Sequence, residues 1–98
     1  MSIVAYHFWS PTCGPCRTIG PAVADLMVEF STIQWVSVNI QEEDPHNYMQ
    51  TFAVRVVPSI AVVATSPGGE IVYRDLKSGT AMVMYYRMLR TALHAQPL

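Results

Sequence analysis

The stretch YHFWSPTCGPCRTIGP, residues 6–21, holds the only two cysteines of the chain, Cys13 and Cys16. An apolar run over residues 2–9 precedes them and is typical of a buried strand, because it is rich in β-branched and aromatic residues. From Cys13 to about Phe30, apolar residues recur every three or four positions, which predicts an amphipathic helix. A strand, a tight turn and a helix therefore surround the cysteine pair.

Three more strands are predicted along the rest of the chain. Residues 33–40 form a second apolar run, residues 59–65 a third and residues 70–75 a fourth. The sequence SPGG at residues 66–69 is typical of a tight turn, so the last two strands are expected to form a hairpin.

Two more helices are predicted from their end signals. Asp44 has the character of an N-cap and Pro45 that of the first residue of a short helix, which would end near Phe52. Thr80 is the expected cap of a final helix. The expected inner face of that final helix consists of Met82, Tyr85 or Tyr86, Leu89 and Leu93.

The resulting order, β-α-β-α-β-β-α, predicts a single α/β domain over residues 1–98. The first two strands are joined by a helix and are expected to be parallel, whereas the last two pair antiparallel. Helices then cover both faces of one mixed, four-stranded sheet. The last residues, Ala95 to Leu98, are expected to fray.

Charge is balanced and scattered, with six basic and seven acidic residues and a formal net charge of −1. No basic stripe is present to neutralise phosphates, so we expect no nucleic-acid partner. No apolar run reaches the roughly 20 residues of a membrane span, so no membrane contact is expected. The N-terminus has no basic region and no small-residue cleavage site, which makes the cytoplasm the expected location.

The position of the cysteines at the start of a helix favours redox chemistry. Unpaired N–H groups and the helix dipole favour a thiolate at Cys13. Cys16 lies one turn later on the same side, close enough to attack a mixed disulfide formed on Cys13. Gly14 allows a tight turn with room for a substrate chain, and Pro15 stiffens the loop where no N–H is needed.

A zinc site and a purely structural crosslink are the alternative interpretations of the two cysteines. Zinc usually needs two more Cys or His ligands at suitable spacing, and His7, His46 and His94 do not form a second half-site. One pair that closes so short a loop also adds little as a crosslink. We therefore expect no metal.

Two separated motifs resemble the thioredoxin family. Residues 6–21 look like the active-site strand and helix of that family, and a Cys-x-x-Cys pair near a βαβ pattern is its known signal. Residues 56–59 (VVPS) resemble the family's loop with a cis proline facing the dithiol, and residues 39–45 (NIQEEDP) also match. The resemblance covers nearly the whole chain, but the first strand and helix of full-length thioredoxins are missing.

The resemblance implies a dithiol enzyme with no bound cofactor. Cys13 attacks a disulfide of a target protein, and Cys16 resolves the mixed disulfide that forms. The implied partners are disulfide-containing proteins and a flavin-dependent, thioredoxin-reductase-like electron donor. The chain itself is expected to be a monomer. The implied substrate-binding residues are Thr12, Gly14, Pro15, Val57, Pro58 and Gly79. A cis bond at the proline would aim the preceding backbone at the substrate for short β-type pairing.

Thr12 departs from the family pattern, in which a tryptophan stands immediately before the first cysteine. The change removes a large apolar surface beside the dithiol. Thr12 either caps the helix or donates a hydrogen bond to the thiolate, and we expect capping.

His7 departs further, because it falls where the family carries a buried aspartate beneath the dithiol. Ser37 falls on the position of that aspartate's lysine partner, so both charges are replaced together. Two interpretations of His7 stay open. In the first, its imidazole is catalytic and shuttles the proton of Cys16. In the second, it is a neutral core residue bonded to Ser37 or to backbone.

Reduction of protein disulfides is the function that these residues indicate. One alternative is a glutathione-linked, glutaredoxin-like enzyme, whose size fits but whose usual aromatic residue within the Cys-x-x-Cys motif is absent. The other is a non-enzymatic binding module, which would keep the fold and hold a partner on the surface of Cys13, Val57 and Gly79.

Overall fold

Residues 2–9 form one of the two inner strands of the sheet, and the cysteine turn follows this strand directly. The structure is a computed structural model and describes residues 1–95. The elements in chain order are β1 (Ser2–Trp9), α1 (Gly14–Glu29), β2 (Gln34–Asn39), α2 (Tyr48–Thr51), β3 (Ser59–Thr65), β4 (Ile71–Ser78) and α3 (Met82–Leu93). The predicted order is confirmed. The predicted frayed segment, Ala95 to Leu98, lies outside the described residues apart from Ala95.

The mixed, four-stranded sheet has the strand order β2-β1-β3-β4. β1 runs parallel to β2, with Tyr6 opposite Val36, and antiparallel to β3, with Tyr6 opposite Ala61. β3 and β4 form the predicted antiparallel hairpin, in which Val62 lies opposite Asp75. Because β1 is an inner strand, hydrogen bonds from two neighbours fix its carboxyl end, where the cysteine turn begins.

The larger core lies between the sheet and the helices α1 and α3. Its buried residues include Ala5, Ile60 and Val62 from the strands, and Ile19, Val23, Leu26, Tyr85, Met88 and Leu89 from the helices. The buried residues of α1 follow the spacing of three and four that the sequence predicts. Burial of this face holds α1 against the sheet, and it thereby fixes the position of the first turn of the helix.

A smaller core lies on the opposite face, under α2. Phe8 of β1 is fully buried there and contacts Phe52 edge to face, with ring centroids 6.2 Å apart. Tyr6 packs beside it against Phe52 and Tyr48, with centroid distances of 4.7 and 4.9 Å. Helices therefore lie on both faces of the sheet, as predicted. Of the helices within residues 1–95, none combines the length and the apolar character that a membrane crossing requires.

The prediction that α2 begins at Pro45 is wrong. The helix begins at Tyr48, after Asn47, whose backbone is left-handed with φ of 54°. Asp44 still caps the helix, although it lies four residues before Tyr48. Its carboxylate accepts hydrogen bonds from the free N–H groups of Tyr48 and Met49 at 3.0 and 2.9 Å. A carboxylate that reaches forward over a turn takes the place of an adjacent cap.

The predicted cap of α3 is also wrong. Ala81, not Thr80, is the N-cap, and no side chain bonds to the first turn. The buried stripe consists of Tyr85, Met88, Leu89 and Ala92, whereas Leu93 is 38% exposed. Leu93 therefore lies outside the buried stripe, and its predicted place on the inner face is wrong.

We expect Leu89→Ala to lower the free energy of unfolding by about 2–5 kcal/mol, because Leu89 is 0% exposed and its loss leaves a cavity. Leu93→Ala, the same change one turn later on α3, is the matched control and should cost less than about 1 kcal/mol. Chemical denaturation of both variants measures the difference. Equal losses would contradict the placement of α3.

Candidate active site

The two cysteines lie where β1 passes into α1. The chain turns at residues 10–12, and the N–H of Cys13 donates to the carbonyl of Ser10 at 3.2 Å. Cys13 is the N-cap of α1, with extended backbone, and its sulfur accepts from the N–H of Cys16 at 3.1 Å. The sulfurs of Cys13 and Cys16 are joined in a disulfide, with Cα atoms 5.2 Å apart. The predicted location at a helix N-terminus is confirmed.

The two sulfurs differ in access. Cys16 is 6% exposed, whereas Cys13 is half-buried and open to the surface on one side. Gly14 and Pro15 are both exposed in the first turn of α1. A protein that approaches the dithiol therefore contacts the Cys13 sulfur first, because the Cys16 sulfur is shielded from the surface.

The loop before β3 faces Cys13. The Val57–Pro58 peptide bond is cis, as the resemblance implied. The carbonyl oxygen of Val57 lies 3.7 Å from the Cys13 sulfur, and the neighbouring Val56 is 59% exposed. Ser59 holds the loop from behind, since its hydroxyl donates to the Val56 carbonyl at 2.6 Å.

Gly79 and Tyr85 anchor this loop to the core. The N–H of Gly79 donates to the carbonyl of Pro58 at 2.9 Å, and the backbone of Gly79 has φ of 112°, which favours glycine. The hydroxyl of Tyr85 donates to the carbonyls of Gly79 and Pro58. Burial raises the pKa of Tyr85 to about 12, so the hydroxyl stays protonated. The sequence analysis placed either Tyr85 or Tyr86 in the core and missed these hydrogen bonds. The available signal was a phenol at a core position, because its hydroxyl needs a hydrogen-bond partner there.

His7 and Cys16 line one cavity of about 230 Å³ beneath the cysteine turn. Its other lining residues are Trp9, Ser10, Pro11, Arg17 and Gly20. The Nε2 atom of His7 is buried and has no hydrogen-bond partner within residues 1–95. Burial lowers the pKa of His7, so the imidazole is neutral at pH 7.

The interpretation of His7 as a core residue expected a bond to Ser37 or to backbone, and the bond to Ser37 is not formed. The Ser37 hydroxyl instead accepts from Nε1 of Trp9 at 2.7 Å. His7 and Ser37 lie directly opposite each other in the β1–β2 register, but the Ser37 hydroxyl bonds to the indole of Trp9.

Thr12 has a different role from the predicted cap, because Cys13 itself occupies the N-cap position. The Thr12 hydroxyl instead contacts Ser10 at 3.1 Å and accepts from the side chain of Gln41 at 2.6 Å. Sequence reasoning missed Gln41, which lies 29 residues away along the chain. No periodicity or motif in the sequence signals such a contact.

Residues 1–95 contain no group of three or more His, Cys, Asp or Glu side chains that could hold a metal ion.

Known proteins similar to this chain include several thioredoxins. The family model described as Thioredoxin matches residues 2–83. A chloroplastic M-type thioredoxin of Zea mays is 30% identical over 67 residues, which are 68% of this chain and 38% of the maize protein. The thioredoxin of Haemophilus influenzae is 33% identical over 61 residues, which are 61% of this chain and 55% of that protein. The chain thus spans about a third to just over half of the curated relatives it matches.

Solved structures share the fold. Fasciola hepatica thioredoxin matches with a TM-score of 0.71 and 21% identity, over 93% of this chain and 81% of that one. A chain of the ferredoxin:thioredoxin reductase and thioredoxin f2 complex matches with a TM-score of 0.72 and 17% identity, over 94% and 78% of the two chains. At sequence identities this low, the structural similarity shows only a shared fold, and it confirms the expected α/β architecture.

Burial of His7 predicts a pH dependence of stability. The pKa of His7 is lower in the folded protein than in the unfolded chain, so the unfolded chain binds the proton more readily. Above about pH 6.5 His7 is neutral in both states and does not reduce the free energy of unfolding. As the pH falls below that value, the unfolded chain is protonated first and the free energy of unfolding decreases. The slope from one group is at most about 1.4 kcal/mol per pH unit. His7→Gln does not titrate there and should flatten the curve of unfolding free energy between pH 7.5 and 5. Parallel curves for the two proteins would contradict the burial of a neutral imidazole.

Proposed function

The chain belongs to the thioredoxin family, and from this premise we propose that it is an enzyme that reduces disulfides in other proteins by dithiol–disulfide exchange. One observation carries the proposal. A half-buried Cys13 at the N-terminus of α1 is bonded to a buried Cys16 and faces the cis-proline loop across 3.7 Å. An accessible sulfur with a shielded partner is the arrangement that two-step exchange requires.

The proposed reaction has two balanced steps. The Cys13 thiolate attacks one sulfur of the target disulfide, so a Cys13–target bond forms and the target's other sulfur leaves as a thiolate. The Cys16 thiolate then attacks the Cys13 sulfur, which releases the second target sulfur and forms the Cys13–Cys16 bond present in this structure. The target gains two electrons and two protons, and the dithiol is oxidised.

The start of α1 supports Cys13 as the attacking group. The N–H of Cys16 points at the Cys13 sulfur from 3.1 Å, and the helix dipole adds positive potential at the same end. Both favour the negative charge of a thiolate, and no carboxylate lies in the first turn of the helix to oppose it.

The surface around Cys13 supports a polypeptide substrate. Val57 and Pro58 lie beside the sulfur, and the exposed Gly14 and Pro15 follow Cys13 in the first turn of α1. We propose that the Val57 backbone pairs with the substrate chain as a short β-type contact. Gly79 contributes through its bond to the Pro58 carbonyl, which holds the loop in place.

We assign His7 the role of proton acceptor for Cys16. Its imidazole is neutral at pH 7, its buried Nε2 has no partner within residues 1–95, and it shares a cavity with Cys16. In the tautomer that carries its proton on Nδ1, the Nε2 atom has a free lone pair that can take the thiol proton.

The proposed partners are disulfide-containing proteins and a thioredoxin-reductase-like electron donor. A structurally similar chain comes from a complex of ferredoxin:thioredoxin reductase with thioredoxin f2, which supports a reductase partner of this general kind. We propose a monomer, because one chain supplies both sulfurs and the facing loop. We also propose a cytoplasmic location, where a reducing environment keeps such a dithiol available; relatives include chloroplastic proteins and a bacterial one.

Replacing each cysteine tests the two roles. Cys13→Ser should reduce the turnover of insulin disulfides to background, because no thiolate is left to attack. Cys16→Ser should attack once and remain linked to its target, since nothing resolves the mixed disulfide. Turnover by insulin precipitation and mass spectrometry of the trapped adduct measure these outcomes. A wild-type protein without cysteine-dependent turnover would favour the binding module, and turnover driven by glutathione would favour the glutaredoxin-like enzyme.

Replacing His7 tests the proton acceptor. In His7→Gln the resolving step should slow at least about tenfold at pH 6–7 and recover as rising pH deprotonates Cys16 unaided. The measurement is the rate at which a target thiol is released from a preformed mixed disulfide on Cys13. Alkylation of Cys13 in the reduced variant controls for a disturbed site and should keep the wild-type rate. An unchanged pH profile of release would exclude the role.

A further inference from the structure

Three polar side chains form a closed network directly before Cys13. The side-chain nitrogen of Gln41 donates to Oγ of Ser10 at 2.9 Å and to Oγ1 of Thr12 at 2.6 Å. The backbone N–H of Thr12 donates to Oγ of Ser10 at 3.3 Å, and the two hydroxyl oxygens lie 3.1 Å apart. We call these three side chains the Ser10–Thr12–Gln41 network.

The direction of each hydroxyl in this network follows from counting donors and acceptors. A hydroxyl has one donor and two acceptor positions. With the Gln41 nitrogen turned toward both hydroxyls, Oγ of Ser10 already accepts from Gln41 and from the Thr12 N–H. Ser10 is 5% exposed, and within residues 1–95 the only acceptor that its O–H reaches is the Thr12 hydroxyl. The Ser10 hydroxyl therefore donates to Thr12, because a buried unsatisfied donor is costly.

Thr12 is left with a free donor. Its oxygen accepts from Gln41 and from Ser10, so both acceptor positions are filled. Its own O–H cannot donate back into the network and must point outward. Thr12 is exposed and immediately precedes Cys13 in the chain. The free O–H therefore lies on the surface that a polypeptide bonded to Cys13 has to contact.

We propose that the Thr12 hydroxyl donates a hydrogen bond to a backbone carbonyl next to the target cysteine, and that Ser10 and Gln41 are positioning residues that keep it a donor. This inference rests on the proposed reduction of protein disulfides. The network then contributes to substrate specificity. A donor held in place favours substrates that present a carbonyl there, whereas a disulfide without a carbonyl gains no hydrogen bond from it.

Two nearly isosteric variants test the inference. Thr12→Val removes the hydroxyl. Gln41→Glu replaces a double donor by a double acceptor, so the hydroxyls of Ser10 and Thr12 both turn inward and the outward donor is lost. The substrates are a disulfide-cyclised neutral peptide with blocked ends and bis(2-hydroxyethyl) disulfide, which is neutral and has no carbonyl. The readout is the ratio of kcat/KM for the two substrates, in which any effect of the new charge on the Cys13 thiolate cancels.

The ratio should fall roughly three- to tenfold in Thr12→Val and in Gln41→Glu, the range for one hydrogen bond. The double variant should show no further loss, and Thr12→Ser should keep the wild-type ratio. An unchanged ratio in Thr12→Val would overturn the contact, and an unchanged ratio in Gln41→Glu would overturn the positioning role. A wild-type protein that reduces neither disulfide would instead overturn the proposed function.

Discussion

The N–H of Cys16 donates to the sulfur of Cys13 across 3.1 Å, and the rest of the site depends on this contact. It exists because β1 ends, the chain turns over three residues and α1 begins at Gly14. Ile19, Val23 and Leu26 bury one face of the helix against the sheet, which fixes where its first turn lies. The electrostatics of the dithiol are therefore set by core packing well away from the sulfurs.

The facing loop is held by the same core from the other side. Tyr85 is fully buried in α3, yet its hydroxyl reaches the carbonyls of Gly79 and Pro58. The helix α3 thus supports the loop whose Val57 carbonyl lies beside the Cys13 sulfur. Both walls of the site rest on one buried layer, so the distance between sulfur and loop does not depend on the exposed residues.

The sequence predicted the parts of this arrangement that depend on local pattern. The β1–α1 junction and the hairpin follow from residue types within a few positions, whereas the cis proline was implied by the family resemblance, and each is confirmed. Helix ends were predicted less well, because a cap depends on which side chain reaches a free N–H. Asp44 does this from a distance, whereas Thr80 does not do it at all.

Contacts between segments that are distant in the chain could not be predicted from the sequence. Trp9 bonds to the hydroxyl of Ser37, which was one of the partners considered for His7, and Gln41 bonds to the hydroxyl of Thr12, which was expected to cap the helix. In each case several polar groups compete within one small volume, and geometry alone decides between them. The structure therefore changes the interpretation of His7 and Thr12, while it leaves that of Cys13 and Cys16 intact.

The most direct measurement of the central claim is competitive alkylation of the reduced protein. Limiting iodoacetamide at pH 7, followed by peptide mass spectrometry, gives separate rates for the two thiols. The account predicts that Cys13 reacts at least about tenfold faster than Cys16, and that this preference disappears in denaturant, where α1 no longer exists. Equal rates in the folded protein, or faster reaction of Cys16, would contradict it.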